Sequence, residues 1–234
     1  IWQVNNMNKN QAIQLVRETF ESPFARARFI SFIKNLLNHI EEDEAKKVYS
    51  GAYIPAAYQG YVSSYERVGK YNQDKSRIDI LIVRLGRESA IERARATQRN
   101  FIAGYLQGKY GSAALKDAAL VAFVSPNGED WRFSLVKLEV KLAANDKGGL
   151  KVVDEFTPAR RWSFLVGSHE KSHTAQRQFQ PLLADDENNP NLQNLEEAFN
   201  IEKVTKEFFE KYRDLFIRTK GALDQAVAAN PKTK

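Results

Sequence analysis

The chain reads as an α/β protein with a mixed central sheet flanked by helices. Three features predict this class. An uninterrupted apolar run, Ile78–Leu85, carries a single acid, Asp79. A basic amphipathic helix follows at once over 89–107, and a second apolar run, Ala118–Val124, comes after it. Apolar runs of this kind suit strands buried on both faces, and a carboxylate inside one needs a partner or a task.

Taken in order, residues 11–47 read as a long helical region, because Phe29, Ile33, Leu36, Leu37 and Ile40 recur at helical spacing ahead of the acidic cluster Glu41–Glu44. From Gly51 to Tyr71 the text becomes aromatic and β-branched, as in strands or a hairpin. Asn72–Ser76 is a polar turn before the Asp79 strand. After the second apolar run, Ser125-Pro126-Asn127-Gly128 is turn chemistry. Trp131–Leu142 alternates as a strand, Lys147-Gly148-Gly149 turns, and Leu150–Val166 supplies further strand text. Residues 168–191 are polar and loop-like. A last helix over 192–225 carries Leu195, Phe199, Val204, Phe208, Tyr212, Leu215 and Phe216 on one stripe. The expected organisation is an α/β core over 1–125 and a β-rich extension with a terminal helix over 126–234, packed on that core. No internal repeat is present.

The 234 residues suffice for one large domain or two small ones, and 43% hydrophobic with 27% charged residues describes a soluble globular chain. No apolar stretch is long enough to span a membrane, and no signal peptide opens the sequence. The start at Ile1 rather than Met is that expected of a fragment or a processed chain. The absence of cysteine excludes disulfides, thiolate zinc sites and cysteine nucleophiles, and fits a cytoplasmic location. A net charge of +6 favours an acidic partner.

Asp79 shares its strand face with Leu81, Val83 and Leu85. Two readings apply to it. A hard cation such as magnesium takes carboxylate oxygens, so Asp79 is a candidate metal ligand. Equally, a buried acid can be held by an arginine or by backbone amides. Glu66, on the preceding segment, is the candidate second acid, with Lys70 a nearby base. Glu139-Val140-Lys141 spells E-x-K, but only after the helix.

Gln98 lies at the centre of the apolar face made by Ile91, Ala94, Phe101, Ile102 and Tyr105, where it must find hydrogen bonds inside. Arg84, Arg87, Arg93, Arg95 and Arg99 are candidate contacts to DNA phosphates. Glu88 and Glu92 offer some of them intrahelical pairs instead. Arg132, Arg160, Arg161 and Arg177, interleaved with Trp131 and Trp162, add charge downstream. His39, His169 and His173 make no zinc set. No phosphate loop, nucleophile elbow or dinucleotide fingerprint occurs.

The order of elements resembles the α-β-β-β-α-β core of the PD-(D/E)XK nucleases. Gln98, with Tyr105 two turns later, is similar to the helix that follows the catalytic strand in their RecB-like branch. Several strings, among them Ile78–Leu85, Glu92–Phe101, Asp130–Ser134, Phe156–Gly167, His173–Gln176 and Glu202–Phe209, resemble the amino-terminal region of large fused type II restriction–modification enzymes. Those enzymes carry an adenine-specific DNA methylase downstream. The resemblance implies double-stranded DNA as partner, a methylase region in the same parent chain, and a magnesium-dependent endonuclease. In that enzyme Asp79 and Glu66 would hold Mg2+ and Gln98 would orient the site. The E-x-K that should follow Asp79 is missing. That departure leaves a second implied role, a non-catalytic DNA-binding or scaffold module with a degenerate nuclease-like fold.

Overall fold

The computed structural model describes residues 7–44, 46–88, 90–111, 114–144, 150–156, 162–185 and 189–229. The amino-terminal half opens with two helices, α1 (Lys9–Phe20) and α2 (Arg26–Leu36). Asn8 caps α1 reciprocally with Gln11, each side chain accepting from the other's backbone N–H. Ser22-Pro23 then separates the two helices, where a proline cannot continue the hydrogen-bond ladder. The single helical region expected over 11–47 is therefore two helices, and its last part is strand β1 (Ile40–Glu42).

The short strand β2 (Val48–Ser50) and two 3-10 turns, Gly51–Tyr53 and Ala56–Tyr58, lead into β3 (Val62–Gln73) and β4 (Ser76–Leu85). Asp74 and Lys75, both at positive φ, make the two-residue turn between them. Beyond β4 come a single helical turn, α3 (Ala90–Arg93), and α4 (Arg95–Leu106), then β5 (Ala118–Val124), which lies parallel to β4. The remaining strands are β6 (Asp130–Ala144), β7 (Leu150–Phe156) and β8 (Ser163–Gly167).

The eight strands found among the described residues form one mixed sheet in the order β1-β3-β4-β5-β6-β7, with β2 on β3 and β8 on β6. The α/β class with flanking helices is thus observed. The sheet runs unbroken past residue 125, since β5 and β6 pair antiparallel from Ala118↔Lys137 to Val124↔Trp131. The Lys147–Gly149 turn and Arg160 and Arg161 lie outside the described residues.

Strand alternation assigns side chains to two faces. Leu81, Val83, Val121, Phe123 and Val136 face α4 and pack on Phe101, Ile102 and Tyr105. The opposite face is aromatic: Phe133 touches Phe20, Phe29, Phe32, Phe179 and Phe199. Phe179 belongs to α5 (His173–Leu183), a helix where polar loop text was expected, and Phe199 to α6 (Leu192–Phe199). Glu21, at the end of α1, accepts from both N–H and hydroxyl of Ser172, which fixes the start of α5.

Gly167 closes β8 at φ +144, and a Cβ there would strike the Glu129 carbonyl and sit 2.8 Å from Asp130 Cα. Gly167→Ala should therefore lower stability by about 2 kcal/mol, read as an earlier urea midpoint.

The final helix, α7 (Ile201–Ala229), is a separate compact unit beginning at Asn200. The stripe expected over 192–225 is thus split: Leu195 and Phe199 are buried on α6, while Phe208, Tyr212, Leu215 and Phe216 are exposed on α7. Among the described residues, no helix is long and apolar enough to cross a membrane.

Candidate nucleic-acid interface and the buried aspartate

Asp79 sits early on β4, fully buried, on the face covered by α4. Its Oδ2 accepts a 2.7 Å hydrogen bond from the Tyr105 hydroxyl and lies 3.5 Å from Arg67 Nη1. Arg77 Nε stands 3.6 Å from Oδ1, in ion-pair range. Oδ1 makes no hydrogen bond among the described residues. Arg67 also donates to Asp43 at 2.7 Å, so one guanidinium spans two acids. That bond with Asp43, aided by the charge of Asp79, pushes the Arg67 pKa up. Burial first, then the Asp79 charge, pushes the Tyr105 phenol up, so it stays a donor. Lys116, buried next to this group with its ammonium 4.4 Å over the Tyr105 ring, has its pKa pushed down by burial.

Glu66 is elsewhere. A bulge at Val68 sets the register so that Arg67 opposes Leu81, whereas Glu66 opposes Ile82. Directly paired residues share a face, so Glu66 projects from the side of the sheet opposite Asp79. There it is gripped by Arg26 of α2 through three contacts of 2.9–3.2 Å. The structure therefore does not bring the two expected metal ligands together. Lys70 pairs with Glu41 at 2.7 Å.

The residues around Asp79 do not fit a magnesium ion. Oδ1 is an available oxygen, but Arg67, Arg77 and Lys116 surround it with positive charge, and Asp43, the acid that shares Arg67 with Asp79, is held by that guanidinium. Among the described residues, no three acids or histidines converge anywhere. Glu139, the first residue of the E-x-K string, pairs with Lys137.

A second constellation lies at the other end of α4. Arg95, Gln98 and Arg99 project from the helix over β6, where alternation turns Arg132, Ser134 and Val136 toward it, and Trp162 and Ser163 complete the wall. Gln98 is buried, and its amide donates to the Ile91 carbonyl at 3.4 Å. It lies seven residues, about 10 Å of helix, before Tyr105, and it lines this pocket rather than the Asp79 group. Arg132 is only 3% exposed. Its Nε and Nη2 donate to Ile91 O at 3.2 and 3.1 Å, and its Nη1 to Ser163 Oγ at 3.1 Å. Burial, then the charge of Arg95, pushes its pKa down to about 10, so it remains a cation at neutral pH.

Of the five arginines expected to line one surface, two meet in this pocket. Arg84 and Arg87 are exposed, the former alternating onto the sheet face away from α4 and the latter lying over the Tyr61 ring; Arg93 is exposed on α3. Arg132, Ser134 and Ser163 were not singled out as a site by spacing alone. The signal for the first two was present in Trp131-Arg132-Phe133-Ser134, where large apolar residues alternate with polar ones that must face something inside.

No known protein family, curated protein or solved structure matches this chain.

Proposed function

We propose that the chain is a non-catalytic DNA-binding module on a nuclease-like core, serving a restriction–modification enzyme whose methylase follows in the same parent chain. The observation that carries this reading is the meeting of Arg95, Arg99 and Arg132 in a pocket with no acid in its lining among the described residues. The pocket stands at the head of α4, beyond the carboxyl end of the parallel β4–α4–β5 unit, where open α/β sheets collect ligands. A net charge of +6 favours a polyanion over a small acid. The α-β-β-β-α-β order, with β3 and β4 antiparallel and β4 and β5 parallel, supports descent from a PD-(D/E)XK core. The cations around Asp79 and the opposite placement of Glu66 favour binding over magnesium-dependent cleavage.

The test is a salt titration of binding to duplex DNA beside a plasmid assay with magnesium. Each phosphate contact contributes about 0.9 to the slope of log K against log salt. Arg95→Ala/Arg99→Ala should flatten the wild-type slope by about 2 and weaken binding alike on all sequences, while plasmid stays intact. Plasmid cleavage that disappears in a folded Asp79→Asn variant would overturn the non-catalytic reading. Salt-independent or absent binding by the wild type would overturn the DNA-binding one.

A further inference from the structure

On helix α7, Phe208, Tyr212, Leu215, Phe216, Leu223 and Val227 are 41–68% exposed. At 100° per residue they fall, together with Thr219, in one band about 120° wide along the helix. Thr219 does not interrupt the band, because its hydroxyl donates to the Leu215 carbonyl at 2.9 Å and is satisfied without water. Glu210, Arg213, Asp214, Arg218 and Asp224 lie outside it. An isolated helix is marginal in water and draws most of its stability from packing such a band. Gly221, inside α7, weakens the helix further.

The size of the band suits a second copy of the chain. Large side chains exposed to this degree present on the order of 100 Å² each. The band is then about 600 Å², at the top of what a soluble monomer leaves open. Burying it against an identical band removes about 1,200 Å², enough for a specific interface.

The order of residues within the band sets the direction of pairing. Its amino-terminal part carries the rings of Phe208, Tyr212 and Phe216, and its carboxyl-terminal part carries the smaller Thr219, Leu223 and Val227. Packed parallel, ring would meet ring at one end and the small side chains would leave a gap at the other. Packed antiparallel about a two-fold axis near residues 217 and 218, Phe208 lies opposite Val227, Tyr212 opposite Leu223 and Phe216 opposite Thr219. Each of these layers joins a ring to a smaller side chain. A surface that complements itself under a two-fold is what an isologous dimer requires.

We propose that α7 is a dimerisation helix, its apolar band covered by the antiparallel α7 of a second copy of this chain. The inference goes beyond the DNA-binding reading and does not depend on it.

Sedimentation equilibrium of the full chain should give twice the mass of one chain in the micromolar range. Phe208→Glu/Phe216→Glu should weaken dimerisation about 100-fold or more. Ile217→Glu, on the opposite side of the helix, should leave it unchanged. Because the chain contains no cysteine, introduced thiols report the pairing without background. Phe208→Cys alone and Val227→Cys alone should not form disulfide-linked dimers, since like positions lie roughly 28 Å apart in the antiparallel pair. A mixture of the two variants should cross-link on mild oxidation. A wild-type monomer at about 100 µM would overturn the proposal, and slow hydrogen exchange along α7 in that monomer would assign the band to the chain's own residues. A dimer that survives the double Glu variant would place the interface elsewhere and sink the proposal too. Self-linking by each single-cysteine variant would overturn the antiparallel order in favour of a parallel one.

Discussion

Asp79→Ala should destabilise the protein by about 3 kcal/mol, at the low end of the range for removing one partner of a buried ion pair. Three cations and a phenol are arranged around this one carboxylate, and without it Arg77 loses an ion-pair partner, Lys116 loses a nearby countercharge and the buried Tyr105 hydroxyl loses its acceptor. The loss stays at the low end because Arg67 keeps Asp43 and both arginines are partly exposed, so water recovers some of their charge. Tyr105→Phe removes one buried hydrogen bond and should cost about 1–2 kcal/mol. The two changes should be non-additive, since they share that bond. Urea unfolding of the two single variants and the double variant measures all three quantities. A carboxylate kept for metal chemistry behaves in the opposite way, because functional sites are held at a cost and their removal often stabilises. An Asp79→Ala variant as stable as wild type would therefore return weight to the endonuclease.

The frame that presents these groups was legible because it rests on patterns with one physical meaning. Ala118–Val124 is buried at every position and apolar throughout, Ile78–Leu85 is so apart from Asp79 and the exposed Arg84, and α4 shows its buried stripe through Phe101, Ile102 and Tyr105. Asp79 stood out as a buried acid for the same reason. Its partners did not stand out, because they depend on register. Glu66 and Arg67 are adjacent in sequence, yet which of them faces Asp79 is decided by the Val68 bulge and by the pairing of β3 with β4. A one-residue slip would exchange them. The arginine pocket was half legible: α4 supplies three of its members in one helical segment, while Arg132 and Ser163 arrive from strands 33 or more positions away, brought in by the β5–β6 and β6–β8 pairings.

Helix α5 was hidden by composition. His173–Leu183 has only Ala175, Phe179 and Leu183 as buried positions, four apart, amid glutamines, and Pro181 lies inside it. A proline so placed argues for a loop. Tertiary packing outweighs it here, since Phe179 alone meets the rings of Phe20, Phe32, Phe133, Phe164 and Phe199 at centroid distances of 5.3–5.9 Å. These five rings come from α1, α2, β6, β8 and α6, so this one side chain fastens elements far apart in the chain to the sheet face behind the Asp79 strand. Phe179→Ala should accordingly cost about 3–5 kcal/mol, through lost transfer energy and the cavity left among rigid rings. Phe179→Leu, which refills much of that volume, should recover most of the loss. Thermal and urea unfolding of the two variants provide the measurement. If the segment were a surface loop, both substitutions would stay within about 0.5 kcal/mol of wild type, and the aromatic face would need another closure.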